Sequence, residues 1–151
     1  MKERARILVV DDDESVRKTF SAILEDSGYI VDTAESGKEA IEKSHKSFYN
    51  VALIDIRLLD MEGTKLLAMM KETTPKMRKI IITGYPTLQN AVDAVNKGAD
   101  AYVLKPPNMN EVLNTIREHL QKQEEERKFS EEKVTGFIQR RIREIEKEKP
   151  K

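Results

Sequence analysis

Four short runs of aliphatic and β-branched residues, at positions 7–10, 51–54, 80–82 and 101–104, are too brief for helices and too continuously apolar for half-exposed strands. Strands of that kind need cover on both faces, as in a parallel sheet flanked by helices. A fifth segment, from Tyr29 to Ala34, alternates apolar and polar residues, as an edge strand does. Between these runs lie stretches with helical spacing. Val16, Phe20, Ile23 and Leu24 recur at three and four residues before Ser27-Gly28, and Ala40 and Ile41 follow a Ser36-Gly37 start. Leu66, Leu67 and Met70 precede Thr74-Pro75, and Leu88, Ala91, Val92 and Val95 precede Gly98. Val112, Leu113, Ile116 and Leu120 form a fifth set after Pro106-Pro107. The order is (βα)5, which predicts a doubly wound five-stranded parallel sheet.

Charge divides the chain into two regions. The 27 basic and 27 acidic residues cancel, yet 10 and 8 of them respectively crowd into positions 121–151. A boundary is therefore expected near Gln121, between a body at 4–122 that can bury a core and a charged extension at 123–151 that cannot do so alone. In the extension Val134, Phe137, Ile138, Ile142 and Ile145 recur at helical spacing, so an amphipathic helix over 130–148 is expected, weakened at Gly136. A frayed, solvated tail is the alternative, and four heptads for a long coiled coil are absent. Zero net charge gives no general attraction to nucleic acid or anionic membranes, and Glu144, Glu146 and Glu148 offset Arg140, Arg141 and Arg143. The chain has no cysteine, and no apolar run approaches the roughly 18–20 residues that span a bilayer. A cytoplasmic protein without direct nucleic-acid contact or membrane insertion is expected.

In an open parallel sheet, reactive polar groups collect at the carboxyl ends of the strands, where loops are free of the buried interior. Asp11, Asp12, Asp13 and Glu14 follow the first run, Asp55 ends the run at 51–54, Thr83 follows that at 80–82 and Lys105 that at 101–104. Strands about 4.8 Å apart would bring these positions together. Carboxylates gathered in one pocket repel and favour protonation unless a cation lies between them, and a hard divalent ion such as Mg2+ suits oxygen ligands. A strand-end carboxylate, a cation, one lysine and one hydroxyl are the parts of a phosphoryl-transfer site, with the carboxylate as nucleophile and Lys105 and Thr83 stabilising the equatorial oxygens.

The segments Ile7-Leu8-Val9-Val10-Asp11-Asp12-Asp13, Ala52-Leu53-Ile54-Asp55-Ile56-Arg57-Leu58, Ile81-Ile82-Thr83-Gly84 and Gly98-Ala99-Asp100-Ala101-Tyr102-Val103-Leu104-Lys105-Pro106 resemble the response-regulator receiver domain of two-component signalling. The likeness runs over about residues 4–122 and implies a flavodoxin-like fold. It implies that Asp55 accepts a phosphoryl group from a histidine kinase or histidine phosphotransfer protein. It further implies that Asp11, Asp12, Asp55 and the backbone carbonyl of Arg57 hold Mg2+, that Thr83 and Tyr102 form a switch pair, and that Lys105 precedes a cis bond to Pro106. A downstream protein would be met through the surface from Leu88 to Leu120, with dimerisation left open.

Leu59 stands where receivers usually have proline, and Pro107 where a bulky apolar residue is common. Arg57 and Tyr85 fall where side chains flank the route of a hydrolysing water and are expected to slow phosphoryl loss by their bulk.

Plainer explanations exist for each feature. Asp13 and Glu14 fit the first turn of a helix as caps. Thr83 alone is compatible with a strand-end backbone partner, Tyr102 alone with core packing, and Met69, Met70 and Met77 with core and surface filling. His45 and His119 are expected to be solvated. A Mg2+-dependent phosphohydrolase is a second functional class, but the position two beyond Asp55, where such an enzyme needs an acid, holds Arg57. A nucleotide-binding or purely structural α/β module is a third, and no glycine-rich phosphate loop follows any strand.

Overall fold

A computed structural model describes residues 4–84 and 86–148. Tyr85, which sequence reasoning set beside Arg57, lies outside the described residues. The elements alternate throughout: β1 (Arg6–Val10), α1 (Glu14–Asp26), β2 (Ile30–Ala34), α2 (Gly37–Lys46), β3 (Val51–Asp55), α3 (Gly63–Met69), β4 (Arg78–Thr83), α4 (Leu88–Asn96), β5 (Ala101–Leu104) and α5 (Met109–Glu148). All strands are parallel, in the order β2-β1-β3-β4-β5. This is the doubly wound, flavodoxin-like sheet with a helical C-terminal extension.

Side-chain alternation along the central strands explains the continuous apolar runs. Leu8, Val10, Ala52, Ile54 and Ile81 point to one face, where Ala40 of α2, Leu66 and Leu67 of α3 and Ala94 of α4 cover them. Ile7, Val9, Val51, Leu53, Ile80 and Ile82 point to the other, under Phe20 and Leu24 of α1 and Val112 and Ile116 of α5. Both faces are dry, so both parities of the strand interior are apolar apart from Lys79 of β4, whose buried ammonium donates to the Leu67 carbonyl at 2.9 Å. The run at 101–104 departs from that rule. It forms the edge strand β5, where Val103 is buried but Leu104 is 54% exposed because no further strand flanks it. Of the methionines, Met70 and Met77 are core and Met69 is exposed.

The largest departure from the sequence reading is α5, a single helix of 40 residues that runs without a break through Gln121 and Gly136. The compositional boundary near 122 therefore falls inside a helix. Residues 121–133 are rich in Gln, Glu, Lys and Arg, all good helix formers, and ion pairs such as Lys122–Glu118 at 3.2 Å follow the helical repeat.

The helix is also tied to the amino-end of the sheet. Gln123 is 3% exposed; its Nε2 donates to the carbonyl oxygens of Asn50 (3.0 Å) and Lys76 (2.8 Å), and its Oε1 accepts from Asn50 Nδ2 at 2.9 Å. Arg78, at the start of β4, pairs with Glu126 and lies 3.6 Å from Asp100.

His119, expected in solvent, is buried beside this cluster. Burial, with the nearby charges of Lys122 and Arg78, holds its imidazole below the usual value. His119 and Gln123 continue the stripe of Val112 and Ile116 at steps of three and four, so they face the body despite their polarity. His45 is exposed, as expected.

Replacing Gln123 by Leu should lower stability by about 1–3 kcal/mol, because two buried carbonyl groups lose donors. Chemical denaturation of the wild type and variant measures the difference.

Candidate functional site

The carboxyl ends of β1, β3 and β5 meet in an acidic pocket. Register pairs Val10 with Ile54 and Asp55 with Ile82, so Asp11 and Asp55 emerge from neighbouring strands at the same level. One carboxylate oxygen from each of Asp11, Asp12 and Asp55 lies within 4.8 Å of the others. Lys105 reaches in from beyond β5: its Nζ is 3.2 Å from Asp11 Oδ2 and 3.5 Å from Asp55 Oδ1. The Lys105–Pro106 bond is cis, and so is Thr74–Pro75, for which no sequence signal was read. Lys105 N–H donates to the Thr83 carbonyl at 2.7 Å, which ties the lysine strand end to that of β4.

Local chemistry holds the pieces in place. Asp13 caps α1, accepting from the N–H groups of Ser15 and Val16, and its own N–H donates to Asp11 Oδ1 at 2.9 Å. Glu14 occupies the first turn, where the helix dipole favours an acid. The capping explanation therefore applies to Asp13 and Glu14 and leaves Asp11 and Asp12 to the pocket. Arg17, which sequence reasoning missed, donates through Nη1 to the Asp11 carbonyl at 2.7 Å. Its position one turn into α1 was the available signal. Thr83 is fully buried at the end of β4. Tyr102 packs against the face covered by α2, α3 and α4, with its hydroxyl oxygen buried and without a hydrogen-bond partner among the described residues. The Arg57 side chain is exposed, and its backbone N–H points to Asp55 Oδ1 at 3.5 Å.

The electrostatics are those of an under-compensated anionic site. Burial pushes the Asp55 carboxyl above the ordinary aspartate value, Asp11 pushes it further, and Lys105 offsets part of the rise. Burial would lower the Lys105 ammonium, but the negative charges of Asp11 and Asp55 outweigh it and hold the lysine above its usual value. One ammonium against three carboxylates leaves a net negative pocket built of hard oxygen donors. That donor set fits a small divalent cation and gives a softer metal no nitrogen or sulfur ligand.

Sheet order, parallel register and this pocket together define a doubly wound α/β domain whose polar chemistry is confined to one carboxyl-end cluster. Within that class, the chain belongs to the response regulator receiver domain family, whose model matches residues 7–117. It is a receiver domain of two-component response regulators, a family of phosphoacceptor signalling domains.

The chain is similar to the alginate biosynthesis transcriptional regulatory protein AlgB of Pseudomonas syringae pv. tomato. They share 37% identity over 105 residues, covering 70% of this chain and 23% of that protein. It is 36% identical over 118 residues to the transcriptional regulatory protein ZraR of Klebsiella oxytoca, covering 78% of this chain and 27% of the relative. The chain thus spans about a quarter of the length of these curated relatives. Among solved structures, a CheY-like receiver domain protein from Methanospirillum hungatei JF-1 superposes with a TM-score of 0.79 at 45% identity. That match covers 82% of this chain and 99% of the other. The beryllofluoride-activated NtrC4 receiver domain dimer matches with a TM-score of 0.72 at 37% identity, covering 78% and 98%. No helix among the described residues is long and apolar enough to cross a membrane.

Because the folded state raises the Asp55 pKa, it binds the proton more tightly than the unfolded chain. The resulting destabilisation is fully present above the folded pKa and is relieved as pH falls through it. Asp55→Asn should therefore be more stable than wild type at pH 7 in a chelator. The gap should narrow toward pH 4, as read from denaturation midpoints.

Proposed function

We propose that this domain takes a phosphoryl group onto Asp55 from a phosphohistidine on a histidine kinase or histidine phosphotransfer protein. The observation that carries the reading is Lys105 Nζ lying 3.2 and 3.5 Å from carboxylate oxygens of Asp11 and Asp55 in a pocket shared with Asp12. An Asp55 oxygen forms the new bond to phosphorus while the phosphorus–nitrogen bond to the donor imidazole breaks and the imidazole leaves. Lys105 compensates charge on the equatorial phosphoryl oxygens, and the Thr83 hydroxyl donates a hydrogen bond to one of them. Asp11, Asp12, Asp55 and the Arg57 backbone carbonyl are the residues that would hold Mg2+. When bound, that ion supplies positive charge to the phosphoryl oxygens and relieves the repulsion among the carboxylates. The domain catalyses its own phosphorylation and dephosphorylation and turns over no external phosphate ester.

The output is a protein contact on the surface from Leu88 to Leu120. Four large apolar residues there, Leu88, Val92, Val95 and Leu104, are 82, 43, 67 and 54% exposed, apolar area suited to a partner. Thr83 and Tyr102 link the pocket to that surface through β4 and β5, whose register pairs Tyr102 with Ile81 and Thr83 with Leu104. The reading places the domain in the cytoplasm, where such kinases deliver phosphate, and assigns it no direct nucleic-acid contact.

Incubation with a small phosphodonor and Mg2+ should give acid-labile, hydroxylamine-sensitive phosphate on the wild type and none on Asp55→Ala. A beryllofluoride–Mg2+ phosphate mimic should shift backbone resonances between residues 88 and 120. Unchanged shifts there would remove the switch, and phosphate retained by Asp55→Ala would remove the acceptor assignment.

A further inference from the structure

The segment after Asp55 is a small hairpin whose base packs on the Asp55 backbone. Arg57 and Glu62 form an antiparallel bridge, Leu58 N–H donates to the Met61 carbonyl at 3.1 Å, and Gly63 N–H donates to the Ile56 carbonyl at 2.7 Å. The base is tight: a Cβ on Gly63 would lie 2.4 Å from the Asp55 carbonyl oxygen. At the apex, the Leu58 N–H bond to the Met61 carbonyl closes the turn, and backbone N–H groups of Asp60 and Met61 also face the Asp60 carboxylate. Leu59 is 90% exposed and lacks the ring that would fix its φ.

The apex is fastened from outside. Asp60 Oδ1 accepts from Gly37 N–H at 2.9 Å and Oδ2 accepts from Lys38 N–H at 3.0 Å, so both carboxylate oxygens engage the first turn of α2. Those donors hold the Asp60 carboxyl below the usual aspartate range although it is exposed to solvent. Beside it, Met61 occupies the space that a side chain on Gly37 would need, with Sδ 2.5 Å from the position of a built Cβ. Ser36 and Glu39 complete the helix start by accepting from Glu39 and Glu35 N–H respectively. Ser36 accepts from Glu39 N–H only, and Asp60 supplies the partners of the Gly37 and Lys38 N–H groups, so the hairpin and the helix start are joined through one side chain.

We propose that Asp60 is a positioning residue for the divalent-cation site, fastening the hairpin apex to α2 so that the Arg57 peptide is held against the acidic pocket. This rests on the functional reading above. The Arg57 N–H faces Asp55 Oδ1 and Arg57 is bridged to Glu62, so a shift of the bridged hairpin as a unit, once released from α2, moves the peptide next to the acceptor carboxylate. Partners one shell out from a metal ligand set its geometry in the same way.

Magnesium titration followed by amide chemical shifts tests the idea on the full chain, with thermal unfolding measured in parallel. Asp60→Ala should weaken Mg2+ binding about tenfold and shift the Gly37 and Lys38 amide resonances. Lys38→Pro removes one of the two donors from the α2 side, at a first-turn position that tolerates proline, and should weaken Mg2+ binding in the same direction by less. It carries the test if Asp60→Ala fails to fold. A purely structural cap would lower the unfolding midpoint and leave the Mg2+ affinity of the folded protein unchanged, and that result overturns the proposal. Wild type that binds no Mg2+ would overturn the functional reading as well, whereas wild type and variants that bind equally overturn the positioning role alone.

Discussion

Mutual repulsion among Asp11, Asp12 and Asp55 is the constraint around which the domain is arranged. Three carboxylates within 4.8 Å of one another would separate in a flexible chain. They stay together because each is attached to or follows a strand of one sheet, and that sheet is buried on both faces by separate apolar clusters. Lys105 is the only Lys or Arg side chain among the described residues whose ion pairs reach Asp11 and Asp55. The core thus supplies the stability that the pocket lowers, a division seen wherever a site is tuned for charge rather than for packing.

The parts of the molecule that could be read from sequence are those governed by local rules with one outcome. Continuous apolar runs 7–10, 51–54 and 80–82 admit little but two-faced strands, and the acids and threonine that follow them are polar where a strand must end, as is Lys105 after the run at 101–104. Tyr29 to Ala34 announced an edge through its alternation, and β2 is an edge. The run at 101–104 looks the same as the central ones, so its edge position was hidden: strand order is a property of the whole sheet and leaves no mark in a four-residue stretch.

What escaped sequence reasoning is long-range and polar. His119 was expected in solvent and Gln123 carried no expectation, yet their helical phase with Val112 and Ile116 turns both toward the sheet. The bonds from Gln123 to Asn50 and Lys76 span 73 and 47 positions. Asp60 finds its donors 23 and 22 positions back in the chain. No spacing rule connects such residues, because the fold alone sets their separation. The charge-based boundary near Gln121 lies inside α5 for a related reason: a change in composition follows burial, whereas a helix continues as long as its residues favour it.

That continuity gives the long C-terminal helix the mechanics of an arm. At 1.5 Å per residue its 40 residues extend about 60 Å, and the 25 beyond Gln123 project about 37 Å past the fulcrum formed with Asn50. A rotation of about 10° at that fulcrum would sweep Glu148 through about 6 Å, a displacement larger than a helical turn's rise. Slight repacking at the base is thereby magnified into travel at the tip.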